Sequence, residues 1–121
     1  MMRKYVLIAL AATLLAPMLT FAENLTFRVR SYHPQQVNIA FYSQNRSHSW
    51  PGGGQVWVLD DYEVHDYRLA CIEGETICYG AWVRGSNATY WGSGRGDTQG
   101  CQACCYVCNG GTTAVKNLNA R

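Results

Sequence analysis

The sequence predicts an all-β fold: a small antiparallel β-sandwich, or a barrel, stapled by disulfides and preceded by a cleaved helical signal peptide. Three observations carry this reading. Apolar residues recur with a period of two in short runs, the pattern of half-buried strands. Gly, Pro, Asn and Asp cluster between those runs at regular intervals, as in an all-β domain. All six cysteines lie between Cys71 and Cys108, and four crowd into Cys101-Gln102-Ala103-Cys104-Cys105-Tyr106-Val107-Cys108.

The compartment sets the chemistry of those cysteines. Arg3 and Lys4 precede an apolar run over residues 5–19, and Thr20-Phe21-Ala22 puts small residues at the two positions a signal peptidase reads. That is a secretory signal, cleaved after Ala22. The run is short for a membrane anchor and is interrupted by Pro17. No second apolar run follows, so no membrane span is expected in the mature chain. The expected divisions are a signal peptide over 1–22 and a single disulfide-rich β domain over 23–121, secreted or periplasmic. Losing 22 of 121 residues leaves 99, enough for one domain. Two of the 10 basic residues leave with the signal, so eight face 8 acidic ones and the net charge falls from +2 to zero. A neutral chain gives no electrostatic argument for nucleic acid as a partner.

The elements follow in order. Leu25, Phe27 and Val29 alternate with Thr26, Arg28 and Arg30, a first strand that Pro34 ends. Val37, Ile39 and Phe41 alternate with Asn38, Ala40 and Tyr42 in a second, which either forms a hairpin with the first or faces it across a sandwich. The polar loop 43–54 ends in Gly52-Gly53-Gly54, which no helix or central strand would hold. Further strands are expected over 55–59, 65–71, 76–84, 89–92 and 112–118. No stretch of the mature chain has a sustained helical period, so no helix of ten residues is expected there. Phe27, Val29, Val37, Ile39, Leu69, Ile77 and Val83 are the expected core, and Arg95 to Asp97 should be open to solvent.

Outside the cytoplasm, an even number of cysteines in a short chain reads as a disulfide framework. Cys71, Cys78, Cys101, Cys104, Cys105 and Cys108 are therefore expected in bridges, with no metal and no cofactor. Two Cys-x-x-Cys units also have ligand spacing for tetrahedral zinc, and redox pairs share that spacing. Export disfavours the first. Gly100 and Gly110-Gly111 offer no helix N-terminus to lower a thiol pKa for the second. Adjacent Cys104 and Cys105 are not expected to bridge each other. A Cys71–Cys78 bridge across the turn at 73–76 and a bridge from either residue to the run stand equally.

Trp50, Trp91 and Tyr90 lie beside loops and are the candidate ligand contacts, where an aromatic face would stack on a sugar or a partner. Trp57 and Trp82 lie mid-strand and are expected in the core. No catalytic residue is singled out: the chain lacks a Gly-x-Ser-x-Gly elbow and a His-Glu-x-x-His helix. His33, His48 and His65 are scattered. Glu73 and Glu75 could share a face for acid–base work, but on a turn without an evident pocket. Asp60, Asp61, Glu63 and Asp66 are a solvated turn more readily than a calcium site, since their spacing is not that of an EF-hand loop. Asn24, Asn45 and Asn87 head formal glycosylation acceptors, relevant only in a eukaryotic secretory pathway.

Two resemblances bear on function. Arg95-Gly96-Asp97 resembles the Arg-Gly-Asp adhesion motif, which implies a loop reaching an integrin and its bound metal ion. Cys71-x2-Gly74-Glu75-x-Ile77-Cys78-Tyr79-Gly80-Ala81-Trp82, then Tyr90-Trp91-Gly92 and the Cys-x2-Cys-Cys-x2-Cys run, resemble a pattern in small exported bacterial proteins of unassigned function. That second resemblance spans about half the mature chain and implies a shared fold and a bacterial setting. The expected function is a binding or surface-interaction module for a protein or a cell-envelope glycan. The alternatives are a purely structural or stress-protective secreted protein, a small secreted hydrolase, and an adhesion ligand acting through Arg95-Gly96-Asp97.

Bridges worth about 2–4 kcal/mol each would supply much of the ~5–15 kcal/mol that holds a normal domain. Full reduction should therefore lower the melting temperature sharply, while EDTA alone leaves it unchanged; a melt that responds to EDTA would refute the disulfide reading.

Overall fold

The computed structural model describes residues 20–120, so the expected signal helix lies outside the described residues except for its last three positions. The rest is nearly all β. The strands are β1 (Ala22–Ser31), β2 (Val37–Ser43), β3 (Ser49–Trp50), β4 (Trp57–Leu59), β5 (His65–Ile72), β6 (Thr76–Val83), β7 (Tyr90–Gly92), β8 (Cys105–Val107) and β9 (Thr112–Leu118). Among the described residues the only helical turn is a short 3-10 turn, Arg95–Asp97.

Two sheets result. The smaller has the order β5-β1-β9, and the larger is built on β3-β2-β6-β7, with β4 also paired to β2 and β8 to β6. The first two strands thus belong to different sheets and face each other. All pairings are antiparallel except β1 with β9, which run side by side in the same direction. The register of that parallel pair shifts between Thr26 and Arg28. There the Arg28 N–H donates to the Thr113 hydroxyl instead of a carbonyl, at 3.2 Å. A side chain meets the backbone donor that the irregular ladder leaves over.

The alternation read from the sequence sorts residues between inside and outside as expected. Phe27, Val29, Val37, Ile39, Leu69, Ile77 and Val83 are all buried. Phe27 of one sheet meets Phe41 of the other at 4.7 Å between ring centroids, and Tyr106 and Tyr67 extend the contact on either side. Both phenylalanines are fully buried, so this aromatic seam joins the sheets.

The cysteine run ties both sheets together. Cys71 on β5 bridges Cys108, Cys78 on β6 bridges Cys105, and Cys101 bridges Cys104. Cys71 and Cys78 therefore each reach the run, and the bridge between them that the intervening turn permitted does not form. The run also adds β8, which cysteine spacing had concealed as a strand. The Cys108 N–H donates to the Glu75 carbonyl, and the Cys108 carbonyl accepts from the Gly74 N–H. The backbone thus completes the pairing that the sulfurs begin.

The segment 93–101 crosses the outer face of the larger sheet. It sits so close that a Cβ on Gly80 would lie 2.1 Å from the Gly94 carbonyl oxygen. Gly80 needs no unusual φ; it is glycine because backbone passes directly over it. Gly80→Ala should push the segment off the sheet and cost about 1–3 kcal/mol, a fall in melting temperature on the order of 5–15 °C. A melt unchanged from wild type would show that the crossing is looser than described.

Candidate functional site

The crossing segment turns the outer face of the larger sheet into a groove. Three residues of β2 and three of β6 face outward there. Asn38 lies opposite Trp82, Ala40 opposite Gly80, and Tyr42 opposite Cys78. Ala40 leaves a trough there, while the Gly94 backbone passes over Gly80. Gly54-Gln55-Val56 walls one side and Arg95-Gly96 the other, enclosing about 460 Å³. A smaller cavity of about 210 Å³ continues beyond Arg95, lined by Trp82, Tyr90 and Gln99 among others.

The polar groups on the floor are unevenly spent. Tyr42 OH accepts from the Gly96 N–H at 3.0 Å, and burial pushes this hydroxyl above its ordinary pKa, so it stays protonated. The Arg95 guanidinium lies 6.0 Å from the centre of the Trp82 ring, a cation–π distance. The Asn38 side-chain oxygen is buried and accepts from nothing. This unspent acceptor sits on the residue directly opposite Trp82 in the neighbouring strand. Desolvating a polar group without a partner costs about 1–3 kcal/mol, which a ligand hydrogen bond would recover.

No Asp, Glu or His lines the groove, and Tyr42 is its one side chain of general acid–base type. Ser49 and Gln55 add a hydroxyl and an amide at the rim.

The residues singled out in the sequence fall differently. Trp50 and Trp91, the candidate contacts, are buried at 8% and 4% exposure, and Trp91 lines a further cavity with Tyr90. Their indole N–H groups donate to the Ala70 and Asn119 carbonyls. Tyr90, the third candidate, is half-buried and lines the smaller cavity. Trp57 packs on the core as expected. Trp82 is also covered, at 5% exposure, but on the face away from the core. Arg95 and Gly96 are exposed and Asp97 is half-buried. They do not project as a free tip, since the Asp97 carboxylate accepts from the Gln44 amide and Arg95 leans over Trp82.

Glu75 is no acid–base partner for Glu73. Its carboxylate, almost wholly buried, accepts from Arg46 twice, from the Ser43 hydroxyl and from the Ile72 N–H. Asn45 completes the knot by accepting from the Thr76 N–H. The loop after β2 is thereby locked to the β5–β6 turn. In the acidic patch, Asp61 pairs with His65 and Asp66 with Arg28, so two of its four carboxylates are already engaged. The one group of three metal-capable side chains among the described residues is Cys78, Cys104 and Cys105, whose sulfurs are spent in bridges.

Comparison with family models, with curated proteins and with solved structures finds no match to this chain. The geometry alone therefore argues the site. Asn38 and Trp82 were not singled out for binding in the sequence. The available signal was the alternation itself: Trp82 lies between the core residues Ala81 and Val83, so it must point outward.

The Glu75 knot makes an acid-sensitive prediction. Burial raises this carboxyl, but the hydrogen bonds from Arg46, Ser43 and Ile72 together outweigh it and hold the pKa at about 2. A folded pKa below the unfolded value contributes stability above about pH 4.5 that is lost as pH falls toward 2. The shift corresponds to about 3 kcal/mol at most. Glu75→Gln should lower stability at neutral pH by about 2–4 kcal/mol and flatten its pH dependence between those limits. Equal acid-unfolding curves for variant and wild type would contradict this.

Proposed function

We propose that this chain is an exported binding module, and that its groove takes a hydroxylated ligand of the saccharide class from the cell envelope. One observation carries the reading: the buried Asn38 side-chain oxygen on the groove floor, which accepts no hydrogen bond. A sugar hydroxyl can donate to it. The groove volume lies within the range of small-ligand sites. A peptide adding a strand would need a sheet edge, whereas this groove lies on a sheet face.

Export is supported by Arg3, Lys4 and the apolar run ahead of Thr20-Phe21-Ala22, and by three disulfides suited to an oxidising compartment. Among the described residues no helix is long and apolar enough to cross a membrane.

Intrinsic tryptophan fluorescence, titrated with soluble cell-envelope oligosaccharides, tests the reading. Wild-type protein should show saturable quenching. Asn38→Ala should bind roughly tenfold more weakly. Tyr62→Ala, an exposed site away from the groove, should bind as wild type. No saturable response to any oligosaccharide, or equal affinity in the groove variant, would refute the assignment.

A further inference from the structure

We propose that Cys101–Cys104 is a thiol–disulfide exchange site for an external dithiol, and that its opening passes to the neighbouring Cys78–Cys105 bridge. The first support is accessibility. Cys101 is exposed whereas Cys104 is 1% exposed, so an incoming thiolate reaches the first sulfur and not the second. The second is contact between the two bridges. The Sγ atoms of Cys104 and Cys105 are 3.5 Å apart, and those of Cys78, Cys104 and Cys105 all lie within 4.8 Å of one another. The backbone holds them there: the Cys104 carbonyl accepts from the Tyr79 N–H at 3.0 Å, and Cys105 pairs with Cys78 in the sheet.

The chemistry balances in two stages. A thiolate of the donor attacks Cys101 Sγ, the Cys101–Cys104 bond breaks, and Cys104 leaves as a thiolate. The donor's second thiol loses its proton to water and attacks the donor sulfur of the mixed disulfide. The donor departs as a cyclic disulfide, oxidised by two electrons, and Cys101 takes up a proton. The protein has then gained two electrons and two thiol groups.

The second stage is an exchange without net redox change. Cys104 is formed as a thiolate in a buried position, which disfavours its charge. Attack on Cys78 Sγ makes a Cys78–Cys104 bond and releases Cys105 as a thiolate at an exposed position. Attack on Cys105 Sγ would instead join adjacent residues, against normal disulfide geometry. The charge thus moves from a covered sulfur to a solvated one, where it takes a proton. The reduced protein presents two surface thiols, Cys101 and Cys105, while β6 stays tied to the run. Cys71–Cys108, whose residues are 5% and 0% exposed, takes no part.

The test treats native mature protein with limiting dithiothreitol under mildly alkaline conditions. Acid quenching, alkylation with N-ethylmaleimide and peptide mapping by mass spectrometry then locate the thiols. Label should fall on Cys101 and Cys105 roughly tenfold faster than on Cys71 and Cys108, with a new Cys78–Cys104 linked peptide. In Cys104→Ser, with native folding checked by circular dichroism, reduction should leave Cys105 unlabelled. Label on Cys101 and Cys104 alone, even labelling of all six cysteines, no native-state labelling, or labelling of Cys105 in Cys104→Ser would each overturn the proposal.

Discussion

The four residues from Cys105 to Cys108 hold the molecule together. One end of this segment is bonded to the larger sheet through Cys78, and the other to the smaller sheet through Cys71. Tyr106 between them inserts its ring against Phe27 in the interior. The two sheets are therefore fixed to each other covalently at one end and by aromatic packing beneath it. A chain of 121 residues buries too little surface for loose loops to be tolerated without such ties. The glycine-rich loops can vary in path because the strands they join are anchored elsewhere.

The same economy explains the outer face of the larger sheet. A six-stranded sheet covered on one side by only three strands leaves its other side to find a cover. Residues 93–101 provide part of it, which is why Gly80 must be small. The uncovered part is the groove. Its floor keeps an asparagine oxygen that the interior does not satisfy, and its walls come from two loops. Arg95 belongs to this wall, so the first residue of the adhesion-like tripeptide has a local role on Trp82 and in the groove.

Much of the fold was legible because strand alternation is a local signal. Phe27 and Val29, or Val37 and Ile39, declare their face by sequence alone. The sandwich followed from the number and spacing of such runs. What was not legible depended on distant partners. Trp50 and Trp91 stand beside loops in sequence, yet a loop neighbour can point inward, and each finds a carbonyl 20 or more residues away. Cysteine spacing restricts bridges without choosing among them, because the choice depends on how two sheets stack. Glu75 read as a turn carboxylate because Arg46, its counter-charge, lies across the fold. The groove combined both problems: alternation exposed the outward residues, but only the crossing segment made them a cavity.

The parallel pairing of β1 with β9 has a consequence for biogenesis. The first strand of the domain cannot complete its sheet until the last strand, Thr112–Leu118, is available beside it. Cys71 likewise waits for Cys108, 37 residues later. Contacts between such remote parts of a chain close slowly, since the intervening loop must be ordered first. A chain emerging N-terminus first would thus remain threadable through a narrow channel for nearly its whole length. Its topology delays completion of the fold until the last strand is available.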